Sequence, residues 1–185
     1  METILSLRPN VTREDAVRQF QGHGVSGRVR SLINGPLQSL AETYVPFHLF
    51  RVEVRNGEHP AQVLWLAVDA VTGALDPYSF DVELPQDQMV RVRTRNRTQP
   101  RLSVEQARAL VLDKARRIVF GNGFFRLRSL NLQADIVPVE FHVPYWIGFF
   151  GRDGNAGLVV MDAVRRRIEG AKGRAFFRDW LREAA

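Results

Sequence analysis

Arg28-Val29-Arg30-Ser31-Leu32 recurs 98 residues later as Arg126-Leu127-Arg128-Ser129-Leu130, and this recurrence decides the fold that the sequence predicts. Three more landmarks recur in the same order: Val45-Pro46-Phe47 as Val143-Pro144-Tyr145 at an offset of 98, Thr12-Arg13-Glu14-Asp15-Ala16 as Ser103-Val104-Glu105-Gln106-Ala107 at an offset of 91, and Asp69-Ala70-Val71 as Asp162-Ala163-Val164 at an offset of 93. Four landmarks in a fixed order predict two copies of one structural unit.

Each copy is predicted to begin with a helix. Asn10 or Thr12 can cap the first helix, because a short polar side chain accepts a hydrogen bond from a free backbone N–H of the first turn. Ser103 and Gln106 form a capping-box pattern at the start of the second helix. A third, amphipathic helix is predicted from Ala175 to Glu183, with its aromatic side chains on one face.

A β-hairpin is predicted to follow the helix in each copy. Its first strand is predicted at Tyr44–Val54 in one copy and at His142–Phe150 in the other, and the turns at Asn56-Gly57 and Asp153-Gly154 are strong hairpin signals. The predicted fold class is therefore α+β: an internal duplication of a helix packed on an antiparallel β-sheet, with two tandem units forming one compact protein.

Charge divides the chain unevenly. Residues 1–89 hold seven basic and 11 acidic residues, a net charge of −4, whereas residues 90–185 hold 19 and nine, a net charge of +10. The predicted organisation is an acidic α+β unit at 1–89, a connecting arginine-rich segment at 90–100, and a basic α+β unit at 101–185 that ends in the amphipathic helix. Because a fold does not require such an asymmetry, it either serves binding or lets the two halves attract each other.

Composition excludes several classes of site. The chain has no cysteine, so disulfides and thiolate metal ligands are excluded, and no cofactor is expected. The first residues lack the basic and apolar regions of a signal peptide, and no apolar run reaches the length of a membrane span. We therefore expect a cytoplasmic protein that does not enter membranes, and the oligomeric state stays open.

An alternating row of arginines is the sharpest candidate for a binding site. In an extended segment Arg91, Arg93, Arg95 and Arg97 would share one face, about 6.7 Å apart. Guanidinium groups in such a row can bind phosphates through paired hydrogen bonds, whatever the sequence of a nucleic acid, which predicts an anion-binding or nucleic-acid-binding site. The alternative is a solvated edge strand whose charges deter aggregation, with the arginines paired to carboxylates of the acidic half.

Histidine and aromatic side chains form a second candidate. The duplication aligns Tyr44 with His142 and His48 with Trp146, and the four could form an aromatic-histidine cluster if the two sheets meet about a pseudo-twofold axis. No ligand spacing typical of a metal site accompanies them, so no metal is expected. An enzyme would need a pocket near His48 and His142, and no nucleophile-base pair or motif supports one. We predict no catalytic residues and no enzymatic activity.

The stretch Ala67-Val68-Asp69-Ala70-Val71-Thr72-Gly73 resembles the Val-Asp-Ala-x-Thr-Gly turn of PepSY-type domains. The tandem arrangement also resembles the architecture of β-lactamase-inhibitor proteins. These resemblances imply helices packed on antiparallel strands and an inhibitory or regulatory role. Asp69 and Asp162 follow strands in both copies, which favours turn-capping over paired catalytic carboxylates. We therefore expect a non-enzymatic binding or regulatory module that acts through an unknown protein partner, with nucleic-acid or polyanion binding as the alternative.

Overall fold

The computed structural model describes residues 1–22, 35–57, 60–121, 130–152 and 155–184. The recurring arginine stretches at 28–32 and 126–129, the histidines at 23 and 59, and the predicted turn at 153–154 lie outside the described residues. Within the described ranges the chain forms three α-helices and a mixed β-sheet, which confirms the predicted α+β class.

Eight strands and three α-helices form the main secondary structure of the described chain. They are β1 (Glu2–Leu7), α1 (Arg13–Gln21), β2 (Leu37–Asn56), β3 (Gln62–Asp69), β4 (Tyr78–Phe80), β5 (Met89–Thr94), α2 (Val104–Gly121), β6 (Leu130–Arg152), β7 (Asn155–Asp162), β8 (Arg167–Ile168) and α3 (Ala171–Ala184). None of these helices combines the length and the apolar character needed to cross a membrane, as far as the described residues go.

Contacts within the chain define two compact units. Unit 1 comprises residues 1–45, 90–98 and 142–185, and unit 2 comprises residues 46–89 and 99–141. The strands β2 and β6 are hydrogen-bonded neighbours, and each passes from one unit into the other. Each compact unit therefore combines residues from both predicted copies, while the division at 1–89 and 101–185 stays a prediction about the repeat in the sequence.

Unit 1 is built around the second part of β6. This strand pairs antiparallel with β7, where Tyr145 lies opposite Asp162, and parallel with β1, where Ser6 lies opposite His142. β5 follows β1 in the strand order and ends it. α1 buries Ala16 and Phe20 in a core that also contains residues of β6 and β7.

The helix α3 also belongs to unit 1. It contacts β7 and buries Phe176 and Phe177. The centroid of the Phe177 ring lies 5.1 Å from the centroid of the Tyr145 ring. Trp180 and Leu181 are half-buried on the same helix. The aromatic face predicted for this helix therefore packs against the strands of its own unit.

Unit 2 is built around the second part of β2. β2 pairs antiparallel with β3, where Phe47 lies opposite Asp69, and β3 pairs antiparallel with β4. α2 buries Ala107, Val111, Ala115 and Val119, which lie three or four positions apart and so share one helical face. This face packs in one core cluster with buried side chains of β2 and β3: Phe50, Val52, Val54, Leu66 and Val68.

The structure differs from the sequence-based fold in two respects. The sheet is mixed rather than antiparallel, because β1 runs parallel to β6. In addition, α1 packs against β6 and β7, and α2 packs against β2 and β3, whereas the sequence predicted each helix on the strands of its own copy. Side-chain volume accounts for this placement, because Gly148 on β6 leaves room for the Phe20 ring of α1, while the sequence repeat aligns Gly148 with the larger Phe50 on β2.

Candidate binding sites

The predicted arginine row begins on strand β5. Arg91 and Arg93 are exposed and alternate with half-buried residues, so they project from the solvent face of the strand. β5 ends at Thr94, whose hydroxyl accepts a hydrogen bond from the backbone N–H of Asn96 at 3.0 Å. Arg95, also exposed, lies in the bend that this hydrogen bond stabilises.

Arg97 is separated from the rest of the row by this bend. Its side chain forms an ion pair with Glu2, and only 16% of the side chain is exposed. Its backbone forms a parallel bridge with Tyr44, and the neighbouring Thr98 N–H donates to the Tyr44 carbonyl at 3.0 Å. Glu2 belongs to the acidic first half of the chain. The ion pair of Arg97 therefore matches the alternative in which the arginines pair with carboxylates of that half, and it joins Arg97 to β1.

Arg91, Arg93 and Arg95 remain open to solvent, and we call these three residues the arginine row. Within the described part of the chain, no carboxylate lies within ion-pair distance of any of them. Unit 1 holds 17 basic and nine acidic residues, a net charge of +8, and unit 2 holds nine and 11, a net charge of −2. The arginine row therefore lies in a unit whose charge attracts anions.

Three residues of the predicted aromatic-histidine cluster, Tyr44, His142 and Trp146, belong to unit 1. His142 is buried, and its Nδ1 lies 3.3 Å from the carbonyl oxygen of Leu5. Trp146 donates from its indole Nε1–H to the Val11 carbonyl at 3.1 Å. Burial, with a further contribution from nearby negative charge, raises the pKa of the Tyr44 hydroxyl, so this group stays protonated in the folded protein. These contacts tie parts of unit 1 together.

His48, the fourth residue of the predicted cluster, lies in unit 2 and faces a cleft of about 270 Å³. The walls are mainly apolar and include Pro46, Ala70, Ile136 and Pro138. The His48 side chain is half-buried, and its Nε2 atom is buried without a hydrogen-bond partner among the described residues. A buried polar atom of this kind is uncommon, because desolvation is not offset by a new hydrogen bond.

Asp69 and Asp162 cap turns, as the sequence predicted. The Asp69 carboxylate is buried and accepts hydrogen bonds from the backbone N–H groups of Val71, Thr72, Gly73 and Leu75 at 2.8 to 3.2 Å. Asp162 accepts from the N–H groups of Val164 and Arg165 at 2.9 and 2.8 Å. Both carboxylates are thus engaged in holding the turn that follows a strand.

In the part of the chain that the structure describes, no group of three or more histidine or acidic side chains lies close enough together to hold a metal ion. Comparison of the chain with protein-family models, with curated proteins and with solved structures finds no match. A pocket near His48 and His142 was named from the sequence only as the requirement of an enzyme, and the cleft at His48 was not predicted. The signal in the sequence was the alignment of His48 with the larger Trp146 in the predicted repeat.

Proposed function

We propose that this protein is a non-enzymatic binding module that recognises an acidic segment of a protein partner through the arginine row. The observation that carries the proposal is the exposure of Arg91, Arg93 and Arg95, with no ion-pair partner among the described residues. Like charges close together repel one another, so an arrangement that leaves them unpaired is expected to bind anions. The resemblance of residues 67–73 to PepSY-type domains accords with a regulatory role.

Geometry favours an extended acidic peptide as the partner. Alternate residues of a strand lie about 6.7 Å apart, so Arg91 and Arg93 match carboxylates at alternate positions of an extended peptide. Each guanidinium can hold one carboxylate through two parallel hydrogen bonds. Arg95, placed in the bend just after the strand, extends the same basic surface.

Nucleic acid is the second candidate ligand. The net charge of +8 on unit 1 favours it, because phosphate contacts supply most sequence-independent affinity. However, Met1 is the only large hydrophobic residue that is well exposed in the described part of unit 1, so bases find no exposed aromatic ring on which to stack. An acidic peptide needs only the arginines, and we therefore place it first.

Fluorescence anisotropy tests the proposal with three proteins. They are the wild type, a row variant carrying Arg91→Gln, Arg93→Gln and Arg95→Gln, and a control variant carrying Lys172→Gln, Arg174→Gln and Arg178→Gln. The control removes the same charge from exposed positions of α3 in the same unit. The probes are a labelled 12-residue peptide rich in Glu and Asp, and single- and double-stranded oligonucleotides of equal charge.

We expect the row variant to bind the acidic peptide about tenfold or more weakly, because three exposed ion pairs contribute roughly 0.5 to 1 kcal/mol each. The control variant should lose much less affinity. Tighter binding of the oligonucleotides than of the peptide, with the same dependence on the arginine row, would favour the nucleic-acid candidate. Equal losses in both variants would show that overall charge, and not the row, attracts the ligand.

We also propose that the two copies derive from an internal duplication. Equivalent hydrogen bonds support it: Asn10 N–H donates to the Ala163 carbonyl and Arg101 N–H to the Ala70 carbonyl, both at 2.8 Å. The parallel pair Ser6 with His142 likewise has its equivalent in the bridge of Arg97 with Tyr44. These equivalences keep the offsets of 91, 93 and 98 found in the sequence.

A further inference from the structure

One repeated position is filled in unit 1 and open in unit 2. In unit 1 it holds Trp146, a residue that is 8% exposed and packs in the core with Ala16 and Phe20. The indole N–H finds a partner in the carbonyl of Val11 at 3.1 Å. The large bicyclic ring thus fills its site and satisfies its single polar atom.

The equivalent residue of unit 2 is His48, 98 positions earlier. Its imidazole ring is smaller than an indole ring by about one six-membered ring, and the space beside it is the cleft of about 270 Å³. Its Nε2 is buried without a partner in the described residues, whereas the Trp146 nitrogen is satisfied. Unit 2 therefore lacks both the ring and the hydrogen bond that complete this position in unit 1.

The remaining walls of the cleft restrict what can enter. Pro46, Pro100 and Pro138 provide rigid apolar surfaces, and Ile136 and Val139 add aliphatic contacts. Such surfaces suit the faces of a planar aromatic ring, since small-molecule sites are mostly apolar with a few placed polar groups.

Glu140 also lines the cleft and is exposed at its edge. A carboxylate at this position disfavours an anionic ligand by like-charge repulsion. A neutral polar group remains compatible with the imidazole, which can either donate or accept a hydrogen bond at Nε2.

We propose that the cleft of unit 2 binds a small, neutral, planar aromatic molecule that carries one hydroxyl or N–H group. The ring lies between the proline and isoleucine walls, and a turn of the His48 side chain brings Nε2, which is buried in the unliganded protein, to the polar group. The ligand supplies the ring that Trp146 supplies in unit 1. This site lies in unit 2 and the arginine row in unit 1, so the proposal does not depend on the binding function of the row. Its comparison with Trp146 rests on the proposed duplication.

Heteronuclear NMR on the full chain tests the proposal, with phenol and indole as probes and benzoate as the anionic comparison. We expect a saturable shift of the His48 imidazole nitrogen signals, with a dissociation constant on the order of 1 mM for ligands of this size. Benzoate should bind more weakly than phenol, by up to about fivefold, because Glu140 is exposed at the edge of the cleft and an exposed charge contributes less than about 1 kcal/mol. Absence of a saturable shift at His48 with phenol and with indole overturns the proposal.

The substitution His48→Trp copies the filled position of unit 1 and is the matching variant. It should close the cleft and weaken phenol binding at least about tenfold, while the protein keeps its wild-type amide spectrum elsewhere. If this variant does not fold, His48→Leu serves instead, because it removes the nitrogen without enlarging the cleft. Undiminished phenol binding in whichever of the two variants folds overturns the proposal.

Discussion

Gly148→Ala tests the packing that places α1 on β6. A Cβ atom at this position would lie 2.9 Å from Cδ2 of Phe20 and 3.0 Å from Cε2 of Phe150. Carbon atoms in favourable contact are about 3.5 to 4.0 Å apart, so the methyl group overlaps both rings. Both residues are buried and pack edge to face, with ring centroids 6.2 Å apart, so neither ring can move without loss of packing.

Overpacking of this kind costs about 1 to 3 kcal/mol. The gain from a less flexible unfolded chain offsets about 0.4 to 1 kcal/mol of it. We therefore expect Gly148→Ala to lower the free energy of unfolding by about 1 to 2 kcal/mol. Urea denaturation monitored by circular dichroism measures the change, provided that the transition remains a single step.

A double variant makes the test sharper, because unit 2 has the opposite arrangement of sizes, with a large residue on the strand and a smaller one on the helix. The sequence repeat aligns Gly148 with Phe50 and Phe20 with Val111, and Phe50 and Val111 belong to one core cluster. Gly148→Phe and Phe20→Val should each destabilise strongly, one by overpacking and the other by leaving a cavity. Combined, they should cost at least about 2 kcal/mol less than the sum of the single effects.

The reasoning is refuted if Gly148→Ala is neutral, or if the two larger substitutions add within about 0.5 kcal/mol. Either result would mean that the volume exchange between Gly148 and Phe20 does not direct α1 to β6. As a comparison, Gly121→Ala should have little steric effect, since a Cβ atom there meets nothing within 4 Å.

Three further predictions concern single side chains. Asp69→Ala should lower the free energy of unfolding by about 3 to 5 kcal/mol, because it leaves several buried N–H groups unsatisfied, and Asp162→Ala should cost less in the same urea titration. A hydrogen bond from Arg18 holds the pKa of Asp15 below its usual value. The stabilising contribution of Asp15 is therefore present above the unfolded pKa of about 3.9, and it is lost as the pH falls through the lower folded pKa. Carboxyl NMR titration should show this low midpoint, and Arg18→Gln should raise it; an unchanged midpoint would contradict the assignment. Burial raises the pKa of Tyr44, so an ultraviolet titration should show this hydroxyl ionising only above the usual value of about 10, and normal ionisation in the folded protein would count against its buried position.

Local chemistry predicted the starts of two helices. Thr12 and Asp15 exchange reciprocal hydrogen bonds in a capping box, which confirms one of the two caps expected for α1. Ser103 and Gln106 do the same before α2, through bonds of 2.9 and 3.3 Å. Such caps are readable from sequence because both partners lie within four residues of each other.

Strand extent was harder to predict. β2 begins at Leu37, seven residues before the predicted start at Tyr44, and β6 begins at Leu130, twelve residues before the predicted start at His142. The added residues of β2 are mostly polar or small and show no regular alternation, so their extended form depends on pairing with a neighbouring strand. The periodicity of a short stretch of sequence does not show which distant segment it pairs with.

Helix placement depended on volumes that periodicity does not record. The sequence showed that α1 is amphipathic, but not that the Phe20 ring needs the space above Gly148. The parallel pairing of β1 with β6 likewise joins residues 136 positions apart, Ser6 and His142. Both features depend on contacts between residues far apart in the sequence, and a local sequence pattern cannot specify them.

The candidate site was predicted in part. Alternation correctly placed Arg91 and Arg93 on one exposed face of a strand. It could not anticipate the bend at Arg95, which Thr94 stabilises, or the ion pair that engages Arg97. If the segment were extended throughout, all four arginines would be equivalent. The local hydrogen bond between the Thr94 hydroxyl and the Asn96 N–H instead ends the strand before Arg95.

The ratio of the dissociation constants of the row variant and the wild type for the acidic peptide shows whether Arg91, Arg93 and Arg95 form the binding surface. The measurement is made at about 50 mM salt, where exposed ion pairs are only partly screened. Our account predicts a ratio of about ten or more for the variant lacking Arg91, Arg93 and Arg95, and a clearly smaller ratio for the α3 control. A ratio near one for the row variant, with the wild type binding the peptide, would contradict the claim that these arginines form the binding surface.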